Sequence, residues 1–152
     1  MADSFPLSRV LLEAVLADRL SDRFVCELVW SRLGYGPAGA ASTWSAGPAT
    51  PADWAEAFPE APELIASRPA SVRLTRSIAA PHKQLLKQQL GFAGYRIGEL
   101  YPRRTRRATA VSWLLAHLAE RSEALPQQGP LPPLLEPPAD PVRGHPGDPE
   151  VG

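Results

Sequence analysis

Pro102-Arg103-Arg104-Thr105-Arg106-Arg107-Ala108-Thr109-Ala110-Val111-Ser112-Trp113-Leu114-Leu115-Ala116-His117-Leu118-Ala119-Glu120-Arg121 decides how the rest of the chain is read. Val111, Leu114, Leu115 and Leu118 recur at i, i+3, i+4 and i+7, which is one face of an α-helix. Pro102 suits a first turn, where its missing N–H costs no helical hydrogen bond. The spacing predicts a helix from Pro102 to about Arg121. Its first turns hold Arg103, Arg104, Arg106 and Arg107, at the end where the helix dipole opposes a cation by roughly a few tenths of a kcal/mol. Helix stability did not select these arginines. With Leu114 at zero and about 100° per residue, the apolar stripe centres near about 50°. Arg107 then falls near about 20°, Arg104 near about 80°, Arg103 near about −20° and Arg106 near about −80°. Arg104 and Arg107 therefore continue the buried face. They need carboxylates inside the fold or an anionic partner outside it.

The segments before this helix also read as helical. Ser8 caps a stretch with Leu11, Leu12, Val15 and Leu16 on one face, and Ser21 and Asp22 open a second with Phe24, Val25, Leu28, Val29 and Leu33. Arg32 and Gly34 mark the end of the second, and the short link between the two predicts a hairpin. Residues 35–48 are rich in Gly, Ala, Ser and Pro, with Tyr35 and Trp44 placed for two short strands around a loop. Thr50-Pro51-Ala52-Asp53 reads as a cap, N1 proline and N3 acid for a short helix to about Phe58. A turn at 63–67 follows. Residues 69–78 fit a helix better than a strand, Pro81 opens a helix through Leu90, and Tyr95-Arg96-Ile97 suits a short strand. The fold class expected is mainly α: a compact bundle of about five or six helices over residues 1–122, with at most a small two-stranded β element between the 35–48 loop and the 94–98 segment. Nine of the 18 prolines lie in residues 123–152, where no apolar period remains, so this part reads as a Pro-rich disordered tail.

The net charge of zero hides a strong pattern. Residues 1–63 carry four basic and nine acidic side chains, residues 64–122 eleven and two, and residues 123–152 one and five. Such asymmetry points either to a polyanion-binding face or to charge matching within the fold. In the first reading Arg103, Arg104, Arg106 and Arg107, with Arg73, Arg76 and Tyr101, bind an acidic protein surface, or nucleic acid or phosphate on the same face. In the second they pair with Glu99, Glu27 or other carboxylates of the acidic half. Tyr95 and Tyr101 flank the cluster, as base stacking would require, but no nucleic-acid-binding motif accompanies them.

Catalysis finds little support. His82, His117 and His145 show no paired spacing, and His145 lies in the tail. Cys26, the sole cysteine, sits among apolar helix positions and reads as a small buried residue, so neither a disulfide within the chain nor a cysteine zinc site is expected. No Gly-rich phosphate loop or nucleophile elbow is present, and no cofactor or metal is expected. Met1-Ala2-Asp3-Ser4-Phe5-Pro6 lacks a basic stretch followed by an apolar one, and no apolar run approaches the ~20 residues that span a bilayer. The expected protein is cytoplasmic, non-enzymatic and without a membrane partner.

Three strings go further: Ser67-Arg68-Pro69-Ala70-Ser71-Val72-Arg73-Leu74-Thr75-Arg76-Ser77-Ile78, then Lys83-Gln84-Leu85-Leu86-Lys87 through Leu90-Gly91-Phe92-Ala93-Gly94-Tyr95-Arg96-Ile97-Gly98-Glu99, then Thr105-Arg106-Arg107-Ala108-Thr109. Together they resemble a small domain-of-unknown-function family of cyanobacteria and plastid-bearing plants, over roughly residues 5–120 and without the tail. The resemblance implies an intracellular setting in a photosynthetic organism. It carries no activity or site residue across.

Overall fold

Two serines start the fold as their positions predict. In the computed structural model, which describes residues 4–39 and 42–152, Ser8 Oγ accepts the Leu11 N–H at 3.2 Å and opens α1 (Arg9–Leu16). Ser21 Oγ accepts the Phe24 N–H at 3.1 Å and opens α2 (Asp22–Arg32). Each bond satisfies a donor that the first helical turn leaves without a partner. Between the helices, Asp18 takes a left-handed conformation, φ 62°, which the short polar aspartate tolerates better than most residues.

After α2 the chain turns at Gly34, φ +86°. A Cβ there would meet the Thr50 backbone nitrogen at 2.7 Å, so only glycine lets the two segments touch. The β element is β1 (Gly36–Pro37) antiparallel to β2 (Trp44–Ser45), with Gly36 opposite Ser45 and Pro37 opposite Trp44. It lies wholly within the 35–48 region. The 94–98 segment, expected as its partner, is irregular and passes into a 3-10 turn over Ile97–Glu99. The reason is local: the Tyr95 hydroxyl donates to the Leu16 carbonyl at 3.0 Å and its ring meets Phe92 edge-on at 4.9 Å, which ties the segment to α1. Thr50 also departs from its expected role. Its Oγ1 accepts the Gly47 N–H at 3.0 Å, and α3 (Ala52–Ala57) starts behind Pro51 without a side-chain cap.

The ambiguous 69–78 stretch is helical, as α4 (Arg68–Arg76), with Ala70 and Leu74 at 0% exposure. The helix expected from Pro81 splits into a 3-10 turn, Ala80–His82, and α5 (Leu85–Leu90), which ends at Gly91. The long final helix is α6 (Pro102–Glu120), and α1, α2, α4 and α5 all pack on it. Six α-helices and one two-stranded sheet are thus found among the described residues, a mainly α fold. The core joins Val111, Leu114 and Leu115 of α6 to Leu11, Leu12 and Val15 of α1 and Val25, Leu28 and Val29 of α2. Two buried aromatics satisfy their polar ends within it. Trp30 Nε1 donates to the Pro62 carbonyl at 2.8 Å, and the Tyr35 hydroxyl to the Phe58 carbonyl at 2.7 Å. Cys26 has no exposed surface, and burial pushes its thiol up to about 12.

Residues 123–152 carry no helix or strand. The missing period explains the missing elements. Bonds to the domain replace them: the Arg9 N–H donates to the Pro126 carbonyl at 2.8 Å, the Leu135 N–H to the Arg19 carbonyl at 2.9 Å, and the Gly152 N–H to the Ala66 carbonyl at 2.8 Å.

Leu114→Ala removes a wholly buried side chain at the contact of α6 with α1 and α2 and is expected to cost about 2–5 kcal/mol, read as a lower urea midpoint at constant slope. Ile97→Ala, at 95% exposure, should leave stability within about 0.5 kcal/mol of the parent.

Candidate functional site

The arginines of α6 take separate places. Arg103 and Arg107 share a face at i, i+4, and both have 0% exposure. They point at the corner between α1 and α2, where Asp18 and Asp22 stand at the same spacing. Arg103 grips Asp18 with two bonds, Nη1 to Oδ2 at 2.7 Å and Nη2 to Oδ1 at 2.8 Å, while its Nε donates to Asp22 Oδ2 at 3.0 Å. Arg107 Nη1 donates to Asp22 Oδ1 at 2.8 Å, and its Nη2 to the Val15 carbonyl at 3.0 Å, among the carbonyls that α1 leaves open at its end. Two tail residues close the cluster. Asp148 Oδ2 lies 3.2 Å from Arg103 Nη2, and His145 places Nε2 2.9 Å from the Asp18 carbonyl and Nδ1 3.3 Å from Arg103 Nη2.

Charges so deeply buried persist only when each is paired. Burial alone would raise the Asp18 carboxyl, but the Arg103 hydrogen bond and the charges of Arg107 and Arg103 outweigh it and hold the group below its ordinary 3.8. Burial likewise works against the Arg103 cation, and Asp18 and Asp22 overcome it and raise its pKa. Among these groups the charge-matching reading holds. The projection placed Arg107 correctly. It placed Arg104 inward and Arg103 farther from the stripe, whereas Arg103 is buried and the Arg104 side chain is 17% exposed. With four helices around α6, the covered sector is wider than the leucine stripe, and the acidic corner lies on the Arg103 side.

Arg104 occupies the rim, with Nη1 3.7 Å from Glu99 and its guanidinium over the rings of Tyr95 and Tyr101 at 5.8 and 5.6 Å. Glu99 is thus a partner as the sequence suggested. Glu27 is not, because it pairs with Arg23 one turn earlier on α2. The Tyr101 hydroxyl donates to the Gly98 carbonyl at 3.1 Å. Arg106 turns the other way and donates to the carbonyls of Ile65 and Ala66 at 2.9 and 3.2 Å, and burial with the nearby Arg68 lowers its pKa. Arg73 and Arg76 stay apart on α4. Arg73 lies 3.7 Å from Asp53 and over the Trp54 and Phe58 rings, and no described bond joins either residue to the α6 arginines.

The sequence contained one signal for the buried cluster: Asp18 and Asp22 repeat the four-residue spacing of Arg103 and Arg107. Nothing comparable marked His145 and Asp148, which reach the cluster through a turn in a segment without periodicity. The remaining histidines stand alone. His117 stacks on Trp113 at 5.2 Å, with burial and the charges of Arg121 and Arg32 lowering its pKa, and His82 Nδ1 lies 3.8 Å from Glu120. No group of three acidic, histidine or cysteine side chains among the described residues is placed to hold a metal ion.

A different surface remains open. Between α5 and α6 runs a groove of about 330 Å³, walled by Lys83, Lys87, Phe92, Tyr95 and Leu100 and floored by Ala108. Beside it Ile97 is 95% and Leu100 57% exposed. Among the described residues, Lys83, Lys87 and the adjacent Arg96 carry no ion pair.

A model for a family described as a domain of unknown function (DUF1823) matches residues 6–119. The match ends before the tail. A solution NMR structure of a protein with 50% sequence identity covers 81% of this chain and 100% of its own, with a TM-score of 0.67. No curated protein matches.

Arg103→Ala leaves Asp18 and Asp22 buried without their main partner, and is expected to cost about 3–5 kcal/mol in urea denaturation. Because the folded-state pKa of Asp18 lies below 3.8, its stabilisation is present above that pH and is lost as pH falls through the lower value. Burial raises the Asp22 carboxyl, so that group works in the opposite direction, and the Asp18 part is read as a difference: the gap in urea midpoint between wild type and Asp18→Asn should narrow as pH drops below about 4.

Proposed function

The chain belongs to this family of unknown function, and we propose that it is a cytoplasmic, non-enzymatic binding or assembly protein whose basic surface contacts an acidic protein partner. The contact face is the groove between α5 and α6. The observation that carries the reading is Leu100, 57% exposed on a groove it shares with Lys83 and Lys87, which have no described ion pair, with Ile97 at 95% exposure three residues earlier in the chain. An isoleucine so fully in water gains nothing for the fold, while an apolar anchor within a charged rim suits a protein contact. The occupant that fits is an acidic segment with an apolar residue for the groove and carboxylates for Lys83, Lys87 and Arg96. The basic side chains of the 64–122 segment that carry no described ion pair, Lys83, Lys87 and Arg96 among them, support an acidic partner.

Nucleic acid fits this geometry less well. Stacking needs open aromatic faces, and Arg104 already lies over both Tyr95 and Tyr101. The guanidiniums of Arg103 and Arg107, suited to phosphate, are bound to carboxylates.

The test is an NMR titration of the full chain with a designed acidic peptide bearing one leucine face, a basic peptide of the same pattern and a single-stranded RNA. The acidic peptide should shift amides at 83–87 and 97–100, and Lys83→Glu with Lys87→Glu should weaken it by about tenfold or more, a loss of about 1.4 kcal/mol. Equal binding of both peptides, or binding of RNA alone with affinity falling steeply in salt, would overturn the reading.

A further inference from the structure

We propose that residues 139–152 form a releasable strap, and that the seat it fills at Arg103 takes the carboxylate of an acidic peptide. This seat is distinct from the α5–α6 groove, and the proposal stands on separate observations.

The Asp148 carboxylate is held as a ligand is held. Its Oδ1 accepts the Asp22 N–H at 3.0 Å, while Oδ2 lies 3.2 Å from Arg103 Nη2 and accepts the His145 N–H at 2.7 Å. Arg103 is wholly buried and His145 is 6% exposed, so the contact is desolvated. The turn that delivers it is Gly144-His145-Pro146-Gly147-Asp148, with Gly144 at φ +94°. A Cβ on Gly144 would come within 2.5 Å of both Arg103 Nε and Asp148 Oδ2. The turn is therefore fitted against this guanidinium, with no room for one more carbon atom.

The domain does not need the strap for its own charges. Asp18 and Asp22 already pair Arg103 and Arg107, and the family match ends at residue 119. Asp148 adds a third carboxylate against two buried guanidiniums, with the rim residue Arg104 3.8 Å from Asp18 and His145 Nδ1 3.4 Å from Asp148 itself. Beyond this carboxylate the strap is held by His145 Nε2 at 2.9 Å from the Asp18 carbonyl and by the Gly152 N–H on the Ala66 carbonyl at 2.8 Å. Pro141, Pro146 and Pro149 have no N–H to donate, and Val142 is 48% exposed. Apart from the Gly152 N–H bond to the Ala66 carbonyl at its end, its attachment rests on polar contacts at one seat, the arrangement in which a second acidic peptide can compete. Departure leaves the Asp22 N–H and one Arg103 N–H open to an incoming carboxylate.

Arg143 is the sole basic residue of the last thirty, and its side chain is 88% exposed, so trypsin reports on the strap at one bond. In the full chain, cleavage after Arg143 should be slower by about tenfold or more than in a synthetic peptide of residues 139–152. Gly144→Ala should bring cleavage up to the rate of its own matching peptide, with cleavage after the exposed Arg96 unchanged. The labelled wild-type peptide should then bind full-length Gly144→Ala about tenfold or more tighter than wild type, whose seat is occupied. Asp148→Asn should act in the same direction. If it also speeds cleavage at Arg96 the domain itself has opened, and the Gly144→Ala pair of measurements decides alone. Wild-type cleavage as fast as the peptide, or a released strap with no peptide binding to Gly144→Ala, would overturn the proposal.

Discussion

The two-pronged grip of Arg103 on Asp18 is the contact on which the arrangement of the helices depends. A guanidinium offers donors in a fixed planar fork, so it fixes direction as well as distance, which a lysine ammonium does not. Here the fork sets the start of α6 against the link between α1 and α2, and Arg107 repeats the constraint one turn later through Asp22 and the Val15 carbonyl. Apolar packing alone would tolerate some sliding of α6 in its groove. Two arginines opposite two aspartates at equal spacing allow one register, since a shift by a turn would leave charges buried without partners. The leucine stripe supplies the driving force, and the ion pairs select the alignment.

The same contact changes how the charge of the chain should be understood. Residues 64–122 carry a large basic excess, concentrated in the first turns of α6. Much of it is taken up inside the molecule: Arg103 and Arg107 pair with aspartates, Arg104 in part with Glu99, and Arg106 spends its donors on carbonyl groups. What a partner meets is the residue of this subtraction, made of lysines and arginines on α4, α5 and the loop to α6. A count of basic residues overstates the binding face and misplaces it.

The helices were legible because their signals are local. Ser8, Ser21 and Gly91 act at their own positions, and the repeat of Val111, Leu114 and Leu118 needs no knowledge of the rest of the chain. Thr50 misled because its hydroxyl had two nearby donors to choose from, and the turn at Gly47 won. Tyr95 misled because a single hydrogen bond to Leu16, 79 residues away, outweighs any strand tendency of three residues. In the site, the need of buried arginines for carboxylates could be inferred from helix projection, and Glu99 was within reach of that argument. Asp18, Asp22 and Asp148 were not singled out, because spacing along a chain does not say which distant acid turns inward.

Cys26 gives this architecture an internal timekeeper. The thiol lies within α2 at no exposure, with its ionisation pushed up to about 12, so the native protein presents no thiolate to a reagent. Alkylation must wait for α2 to leave the core. Because α2 also carries Asp22, that event breaks the ion-pair register at the same moment. One thiol, the only one in the chain, therefore dates the loss of the whole interlocked corner rather than the fraying of an edge.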